Sequence, residues 1–494
     1  MNKPELAEHP ERWCWITLDQ ILESIEAGKS FKCDERPPQD GEVGVIKVSA
    51  VTWGEFDASE SKTCMDPDRI DPRFFIQPGD FLFSRANTID LVGACVIVRS
   101  VSRRLMLSDK ILRFRFAGVE PKWVLYALRS KHGRREIERL ATGNQESMRN
   151  IGQDRIRQIR IPLAPLSEQK RIVAEIDKQF TRLDAGVEAL KRVQAQLKRY
   201  RASVLKAACE GRLVPTEAER ARREKRDYEP ADQVLARNKM EIAVLGTESV
   251  PLPEGWCWTT IARTIEIIDY RGRTPPYSEA GIPHLRSSNV RDGRVVWENL
   301  RFVTQATYDQ YMTRGIPRVG DLLFSTEAPL GELAPVPDAP FSLAQRLMVL
   351  RPDQRVWNAA FLMYQMMSPS FRARLTQQGT GSTVTGVSSR NFQPLPLAVP
   401  PLAEQRRIVS EVEERLSATS AAASMIDASL RRAGSLRYAV LKAAFEGSLV
   451  PQDPRDEPAS KLLERISAAA ENKPLPKQGR AKQTTAVPKM KATR

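Results

Sequence analysis

The chain has few of the residues on which protein metal sites and acid–base catalysts most often depend. Its 494 residues include three histidines, His9, His132 and His284, and six cysteines that form no CxxC pair. Zinc sites and redox dithiols use closely spaced Cys and His, so the sequence argues against both. Isolated cysteines are typical of reduced thiols, and we predict a cytoplasmic protein that binds no metal.

Long hydrophobic runs are also missing. The longest, Leu91 to Val98, is far shorter than the ~20 apolar residues that a membrane-spanning helix requires. The first residues, MNKPELAEHPERW, are charged and contain no apolar signal core. We therefore expect no membrane association.

Recognisable catalytic motifs are absent as well. Gly28-Lys-Ser30 resembles the end of a phosphate-binding loop, but Glu23 stands where that loop would begin with Gly. Thr274-Pro-Pro-Tyr277 resembles the Pro-Pro-Tyr motif of adenine methyltransferases, but Thr274 lacks the carbonyl that would accept a hydrogen bond from the adenine amine. We predict a non-catalytic chain, with no catalytic residue and no cofactor bound to it.

Positive charge, by contrast, is in excess. Lys and Arg number 76 against 61 Asp and Glu, which gives a formal charge of +15. A chain this basic is typical of proteins that bind a polyanion, most often nucleic acid. The residues from about 468 to 494 are rich in Lys and Arg and predict a disordered basic tail.

An internal repeat determines the predicted architecture. The segment Pro165-Leu-Ser-Glu-Gln-Lys-Arg-Ile-Val173 and the segment Pro401-Leu-Ala-Glu-Gln-Arg-Arg-Ile-Val409 agree at seven of nine positions. The segments Leu205 to Pro215 and Leu441 to Pro451 agree at nine of eleven. Apolar residues between them recur every three or four positions, which predicts one long helix in each copy with an apolar seam for a second helix. The predicted seam residues are Val173, Ile176, Phe180, Leu183, Val187, Leu190, Leu197, Val409, Val412, Leu416, Ile426 and Leu430.

The regions before the two helices repeat too. Residues 10–15 are matched by residues 253–258, and Gly79-Asp-Phe-Leu-Phe-Ser84 is matched by Gly320-Asp-Leu-Leu-Phe-Ser325. Short β-rich runs, together with helices predicted at 122–140 and 358–377, make each region an α+β module. We call residues 1–164 module one and residues 251–400 module two. Their ends match and their middles diverge, so we predict one fold that presents two different surfaces.

This arrangement resembles the specificity subunit of type I restriction–modification systems. The resemblance covers about residues 10 to 466, and the repeated motifs at 165, 205, 401 and 441 are its most specific part. It implies two target recognition domains, each of which reads one half of a bipartite, asymmetric DNA sequence. It also implies that the two long helices form an antiparallel coiled coil, with a pseudo-two-fold internal repeat.

The resemblance implies several partners. They are double-stranded DNA, two modification subunits that bind S-adenosylmethionine and methylate adenine N6, and restriction subunits that use ATP and Mg²⁺. The domain division that follows is 1–164 for the first recognition domain, 165–215 for the central long helix, 216–250 for a charged, exposed linker with a short helix, 251–400 for the second recognition domain, 401–451 for the distal long helix and 452–494 for a short helix and the basic tail.

Polar residues in the diverging loops are the candidates for DNA contact. They are Lys29, Lys47, Ser49, Arg85 and Asn87 in module one, and Arg273, Arg286, Ser288, Asn289 and Arg291 in module two. The alternative is a coiled-coil scaffold, or an adaptor that binds nucleic acid without sequence preference. Duplicated modules with variable loops favour a sequence-specific reader over that alternative.

Overall fold

The computed structural model describes residues 9–145, 148–243, 251–271, 274–379 and 386–471. The chain forms two compact units. Unit 1 comprises Met1–Glu188 and Leu430–Arg494, and unit 2 comprises Ala189–Ser429. Across the described ranges, no helix is both long enough and apolar enough to cross a membrane.

The secondary structure is mixed throughout. The strands of module one are β1 (Cys14–Thr17), β2 (Leu22–Ala27), β3 (Val43–Ile46), β4 (Ser61–Thr63), β5 (Phe81–Ser84), β6 (Ala86–Asn87), β7 (Cys95–Ile97), β8 (Arg104–Met106), β9 (Ile111–Phe116), β10 (Thr142–Gln145), β11 (Met148–Asn150) and β12 (Arg160–Leu163). Its helices are α1 (Pro121–Arg129), α2 (Lys131–Leu140) and α3 (Gln153–Arg157). Between the modules lie α4 (Leu166–Cys209), α5 (Glu217–Glu224) and α6 (Ala231–Arg237).

Module two and the segment after it continue the pattern. The strands of module two are β13 (Cys257–Thr260), β14 (Ile265–Asp269), β15 (Ile282–Leu285), β16 (Val290–Arg291), β17 (Arg294–Val295), β18 (Arg301–Val303), β19 (Leu322–Ser325), β20 (Leu333–Pro335), β21 (Ser342–Leu343), β22 (Leu347–Pro352) and β23 (Pro396–Val399). Its helices are α7 (Ile261–Thr264), α8 (Gln305–Tyr311), α9 (Ala359–Met367), α10 (Pro369–Gln377) and α11 (Ser389–Phe392). The chain then forms α12 (Leu402–Phe445) and α13 (Ala459–Glu471).

The two modules share one topology. A four-stranded antiparallel sheet has the order β2-β9-β5-β7 in module one and β14-β22-β19-β20 in module two. A smaller sheet has the order β4-β3-β8 in one and β18-β15-β21 in the other, with one parallel pair in each. The β1–β12 and β13–β23 pairs join the beginning of each module to its end. The predicted α+β fold, present in two copies, is confirmed.

The Gly-Asp-x-Leu-Phe-Ser repeat forms the entry to the central strand of each large sheet. Gly79 and Gly320 have φ of 90° and 96°, a region in which a side chain would strain the backbone. The carboxylate of Asp80, which is 1% exposed, accepts hydrogen bonds from the Gln77 backbone N–H (2.9 Å) and the Arg113 guanidinium (3.1 Å). Because a buried carboxylate requires such partners, the motif ties a turn to a neighbouring strand.

The helices predicted at 122–140 and 358–377 are each two helices, which corrects that prediction. Ser130 lies between α1 and α2, and its hydroxyl accepts from the backbone N–H of Gly133. Ser368 separates α9 from α10 in the same way and caps Phe371 N–H. A serine in extended conformation satisfies a free N–H of the second helix, which offsets the break.

The repeated helix-start motif is explained by buried contacts with the module. Glu168 accepts a hydrogen bond from the indole N–H of Trp13 (2.9 Å), and Glu404 accepts one from Trp256 (2.9 Å). The following glutamines donate back to the last residues of the module, Gln169 to Ala164 O and Gln405 to Pro400 O. The motif therefore fixes the direction in which each long helix leaves its module.

The segment that follows one long helix packs on the start of the other. In unit 1, Asp456 accepts hydrogen bonds from Ser167 (2.7 Å) and Arg171 (2.6 Å). In unit 2, the buried Glu217 of α5 forms an ion pair with Arg407. The prediction of an exposed linker after α4 is wrong at this point, because Glu217 and its two neighbouring arginine partners hold α5 against α12.

Within each unit, α4 and α12 run antiparallel. In unit 1, Glu168 bonds Gln452 while Asp184 pairs with Arg437, so the partner's number falls as the first number rises. In unit 2, the Gln194 amide donates to Asp427 (2.9 Å), and Arg407 donates to Pro215 O (3.3 Å). Of the predicted seam, the buried residues are Val173, Ile176, Val409, Val412, Leu416 and Ile426, and the half-buried ones are Phe180, Leu183, Val187, Leu190, Leu197 and Leu430.

Candidate nucleic-acid interface

Two predicted residues of module one lie on a small sheet beside the central strand. Strand β6 contains Asn87 and pairs with β11, which places Asn87 opposite Arg149. Arg85 precedes β6, and its Nε donates to the Asn150 side chain (3.3 Å). Directly opposed residues on an antiparallel pair share a face, so Asn87 and Arg149 form one polar surface.

Sequence reasoning missed two residues of this surface. Arg149 is half-buried, and its Nε has no hydrogen-bond partner in the described part of the chain. Met148, next to it on β11, is 70% exposed. Arg149 stands in the repeated polar segment 143–151, and its charge in that segment was the available signal.

The remaining predicted residues of module one have different surroundings. Lys29 is exposed on the rim of an open depression of about 610 Å³ whose wall also contains Asp71 and Asp109. Lys47 is engaged with Glu35, and the Ser49 hydroxyl donates to Glu60. Lys47 and Ser49 therefore already have acidic partners, which DNA would have to displace.

In module two, the predicted loop residues organise the loop itself. Asn289 is 2% exposed; its amide oxygen accepts from Arg286 N–H, and its NH₂ group donates to Val296 O (2.9 Å) and Glu298 O (3.0 Å). A buried amide used in this way has no group left to read a base edge, so its predicted DNA contact is replaced by an internal role.

The other residues of this loop differ in how far they are free. Arg286 donates to Asn299 O and Arg291 to Ser287 O, both through one end of the guanidinium. Ser288 is exposed. Arg273 lies outside the described residues.

Exposed aromatic side chains beside arginines extend this surface, and sequence reasoning missed them as well. Trp297 follows β17 and is 45% exposed, and Tyr277 is 42% exposed. The Arg301 guanidinium lies 4.5 Å from the centre of the Tyr277 ring. Aromatic rings combined with guanidinium groups are a common means of contacting nucleic acid, because they add stacking to charge.

The nucleophile and base chemistry of the chain is suppressed by burial. Burial raises the pKa of Cys95 to about 11, and that of Cys209 and of Cys257 to about 12, so these thiols stay protonated at neutral pH. Burial lowers the pKa of His284 to about 4, and its Nδ1 lies 2.8 Å from the Ser342 hydroxyl. Among the residues that the structure describes, no cluster of His, Cys, Asp or Glu could hold a metal ion.

Comparison with known proteins adds to this geometry. Residues 277–420, most of module two and the start of α12, match the family described as "Type I restriction modification DNA specificity domain". The resemblance to type I specificity subunits is confirmed. The match lies where the structure has a complete recognition-type module and the beginning of a long helix.

Relatives cover nearly the whole chain. It is 25% identical to the type I restriction enzyme EcoBI specificity subunit of Escherichia coli over 476 residues, which span 93% of this chain and 92% of that protein. It is 27% identical to the EcoKI specificity subunit of E. coli strain K12 over 485 residues, 93% of this chain and 96% of that protein. The 29% identity with the EcoEI specificity subunit extends over 190 residues, about a third (32%) of that protein's length.

A solved structure shows the same fold. One chain from work on the assembly and conformational transition of the type I R-M system aligns with a TM-score of 0.59 at 18% identity. The alignment covers 90% of this chain and 100% of that chain. The overall arrangement of two modules and two long helices therefore occurs in a solved structure.

Proposed function

We propose that this chain is the DNA sequence-specificity subunit of a type I restriction–modification complex. Each module reads one half of a bipartite, asymmetric site. The observation that carries this proposal is the repeated topology, in which β2-β9-β5-β7 and β14-β22-β19-β20 present different polar loops at corresponding places. A duplicated fold with two different surfaces is what a reader of two different half-sites requires.

The polar surfaces supply the two kinds of contact that specific binding needs. Lysines and arginines of a chain with a formal charge of +15 neutralise phosphates. Side chains such as Arg85, Asn87 and Ser288 are available for base edges in the grooves. Buried residues of the same loops, such as Asn289, hold the backbone in the conformation that presents them.

The chemistry belongs to partner subunits in this proposal. Two modification subunits, with S-adenosylmethionine, methylate adenine N6 in the bound site, and restriction subunits, with ATP and Mg²⁺, carry out cleavage. This chain contributes no catalytic residue and binds no cofactor. It acts in the cytoplasm, where host DNA and these partners are available.

Exchange of module two between related chains tests the proposal. Replacing residues 251–400 by the same block of a relative should change one half of the methylated sequence and leave the other half unchanged. The measurement is mapping of N6-methyladenine in host DNA after co-expression with the modification subunit. If both halves change together, or if methylation has no sequence preference, the chain is a scaffold or a non-specific adaptor instead.

A further inference from the structure

Unit 2 contains an open, basic pocket that lies outside the predicted reading loop. It has a volume of about 400 Å³, and Arg374 of α10 and Arg390 of α11 line it together with Gln377, Gln378 and Asn391. No acidic residue of the described chain lines it. A concave surface with two guanidinium groups and three amides is suited to an anion with several acceptor oxygens.

The Arg374 guanidinium is held in place without a counter-charge. It lies 5.7 Å from the centre of the Trp258 ring, and its buried Nε has no hydrogen-bond partner within the described ranges. Burial lowers the pKa of Arg374, which is the direction expected when water is removed and no carboxylate replaces it. An arginine that is stacked, partly desolvated and unpaired has donors available for an incoming anion.

Module one lacks this pocket because an acid stands at the matching position. Ser130 and Ser368 cap the matching helices α2 and α10, and six residues further on stand Glu136 and Arg374 respectively. Glu136 forms an ion pair with Arg139 (3.0 Å). The anion site is therefore a property of module two and not of the shared fold.

The pocket is connected to the predicted reading loop by backbone contacts. Helix α11 begins directly after Val387, whose N–H donates to Thr326 O (3.0 Å). Two residues beyond Thr326, Ala328 O accepts from the Ser287 hydroxyl (3.3 Å), at the start of the loop that carries Ser288. A DNA strand placed over that loop has its phosphates within the same region of the module.

We infer that this pocket binds a phosphate of the DNA backbone through Arg374 and Arg390, next to the half-site that module two reads. The inference rests on the proposed function. It assigns these residues a positioning role, because phosphate contacts set the register of a protein on DNA and carry no base information. Module one, with Glu136 at the equivalent place, does not make this contact.

The test measures the salt dependence of DNA binding by the full chain with its co-purifying modification subunits. The variants are R374Q and R390Q, with R374K, which keeps the charge, as one control. R318Q is the second control, since Arg318 is exposed at the turn before β19, at the strand end away from Thr326. Each lost phosphate contact lowers the slope of log K against log salt by about 0.9, so the affinity lost between 50 and 200 mM salt shrinks about 3.5-fold per contact.

We expect that smaller loss for R374Q and R390Q, wild-type behaviour for R374K and R318Q, and an unchanged ratio of specific to non-specific affinity. Wild-type slopes for both R374Q and R390Q overturn the inference. Because Arg390 is exposed, R390Q decides the outcome even if R374Q does not fold. An unchanged slope with loss of the modification subunits means that the pocket binds an acidic protein segment, and the inference is wrong. If the wild-type protein binds all duplexes equally, the proposed function fails while the slopes still judge the pocket.

Discussion

The carboxyl group of Glu404 at the start of α12 gives unit 2 a dependence on pH that the structure allows us to estimate. Glu404 is fully buried; its Oε1 accepts from Trp256 Nε1–H (2.9 Å) and its Oε2 from Glu217 N–H (2.7 Å). Burial removes the hydration of the carboxylate and raises its pKa to about 7, although the two N–H donors partly offset this. The folded protein therefore holds a proton on Glu404 at a pH where the unfolded chain has lost it.

The sign of the effect follows from proton linkage. Between the unfolded pKa, 4.5, and the folded pKa, about 7, the native state binds more protons than the unfolded state. The stability contributed by protonated Glu404 is thus fully present below pH 4.5 and is lost as pH rises to about 7. A rise of that size corresponds to about 3 kcal/mol, at 1.36 kcal/mol per pH unit.

The variant E404Q isolates this contribution, because Gln does not titrate. Its NH₂ group must face one of the two N–H donors, which costs stability by an amount that does not change with pH. We therefore expect the free energy of unfolding of wild type minus that of E404Q to fall by about 3 kcal/mol from pH 4.5 to 7.5 and to stay flat above. E414Q, at an exposed position of the same helix, should show a flat difference throughout.

Two measurements check the expectation. Urea unfolding of the full chain, followed by tryptophan fluorescence at each pH, gives the difference in free energy for the transition that E404Q shifts. The indole ¹⁵N–¹H signal of Trp256 should titrate with a midpoint near 7 in wild type and not in E404Q. A difference that is constant across this range, with an indole signal that does not titrate near 7, would show that Glu404 stays ionised and that the reasoning from burial is wrong.

Two further predictions concern other buried polar groups. D80N should destabilise unit 1 by roughly 3–5 kcal/mol, because the buried Arg113 and the half-exposed Arg115 both lose their ion pair with Asp80; chemical unfolding measures this. D321N should cost unit 2 less, since Asp321 pairs with the less buried Arg351, and an equal or larger loss would contradict the comparison. N289A should lower the affinity for the specific sequence by disordering the loop, and protease cleavage at 286–299 should increase; resistance equal to that of wild type would refute the internal role of this residue.

Much of the architecture could be predicted from sequence because it depends on local patterns. The three-and-four spacing of apolar residues in α4 and α12 and the repeated motifs at both ends are properties of short segments. The boundaries were less accurate where a single polar residue changes the chain direction. Ser130 ends α1 and caps α2, and the apolar pattern on either side continues without a sign of the break.

The candidate site was predicted only in part, since exposure and pairing of a polar residue depend on distant segments. Asn289 and Ser288 are neighbours in a loop of one composition, yet Asn289 is buried with three internal hydrogen bonds and Ser288 is exposed. Arg149 was overlooked because its position beside Asn87 arises from pairing of β11 with β6, more than 60 residues away.

The sequence by itself determined that there are two modules of one fold, two long helices and an excess of positive charge, because repeats, periodicity and composition are written along the chain. Only the tertiary structure decided which charges remain unpaired. Arg374 and Glu136 occupy matching places on matching helices, and whether such a position attracts an anion depends on the acid or base that folding brings to it. The pKa of Glu404 likewise follows from burial, which tertiary packing alone creates.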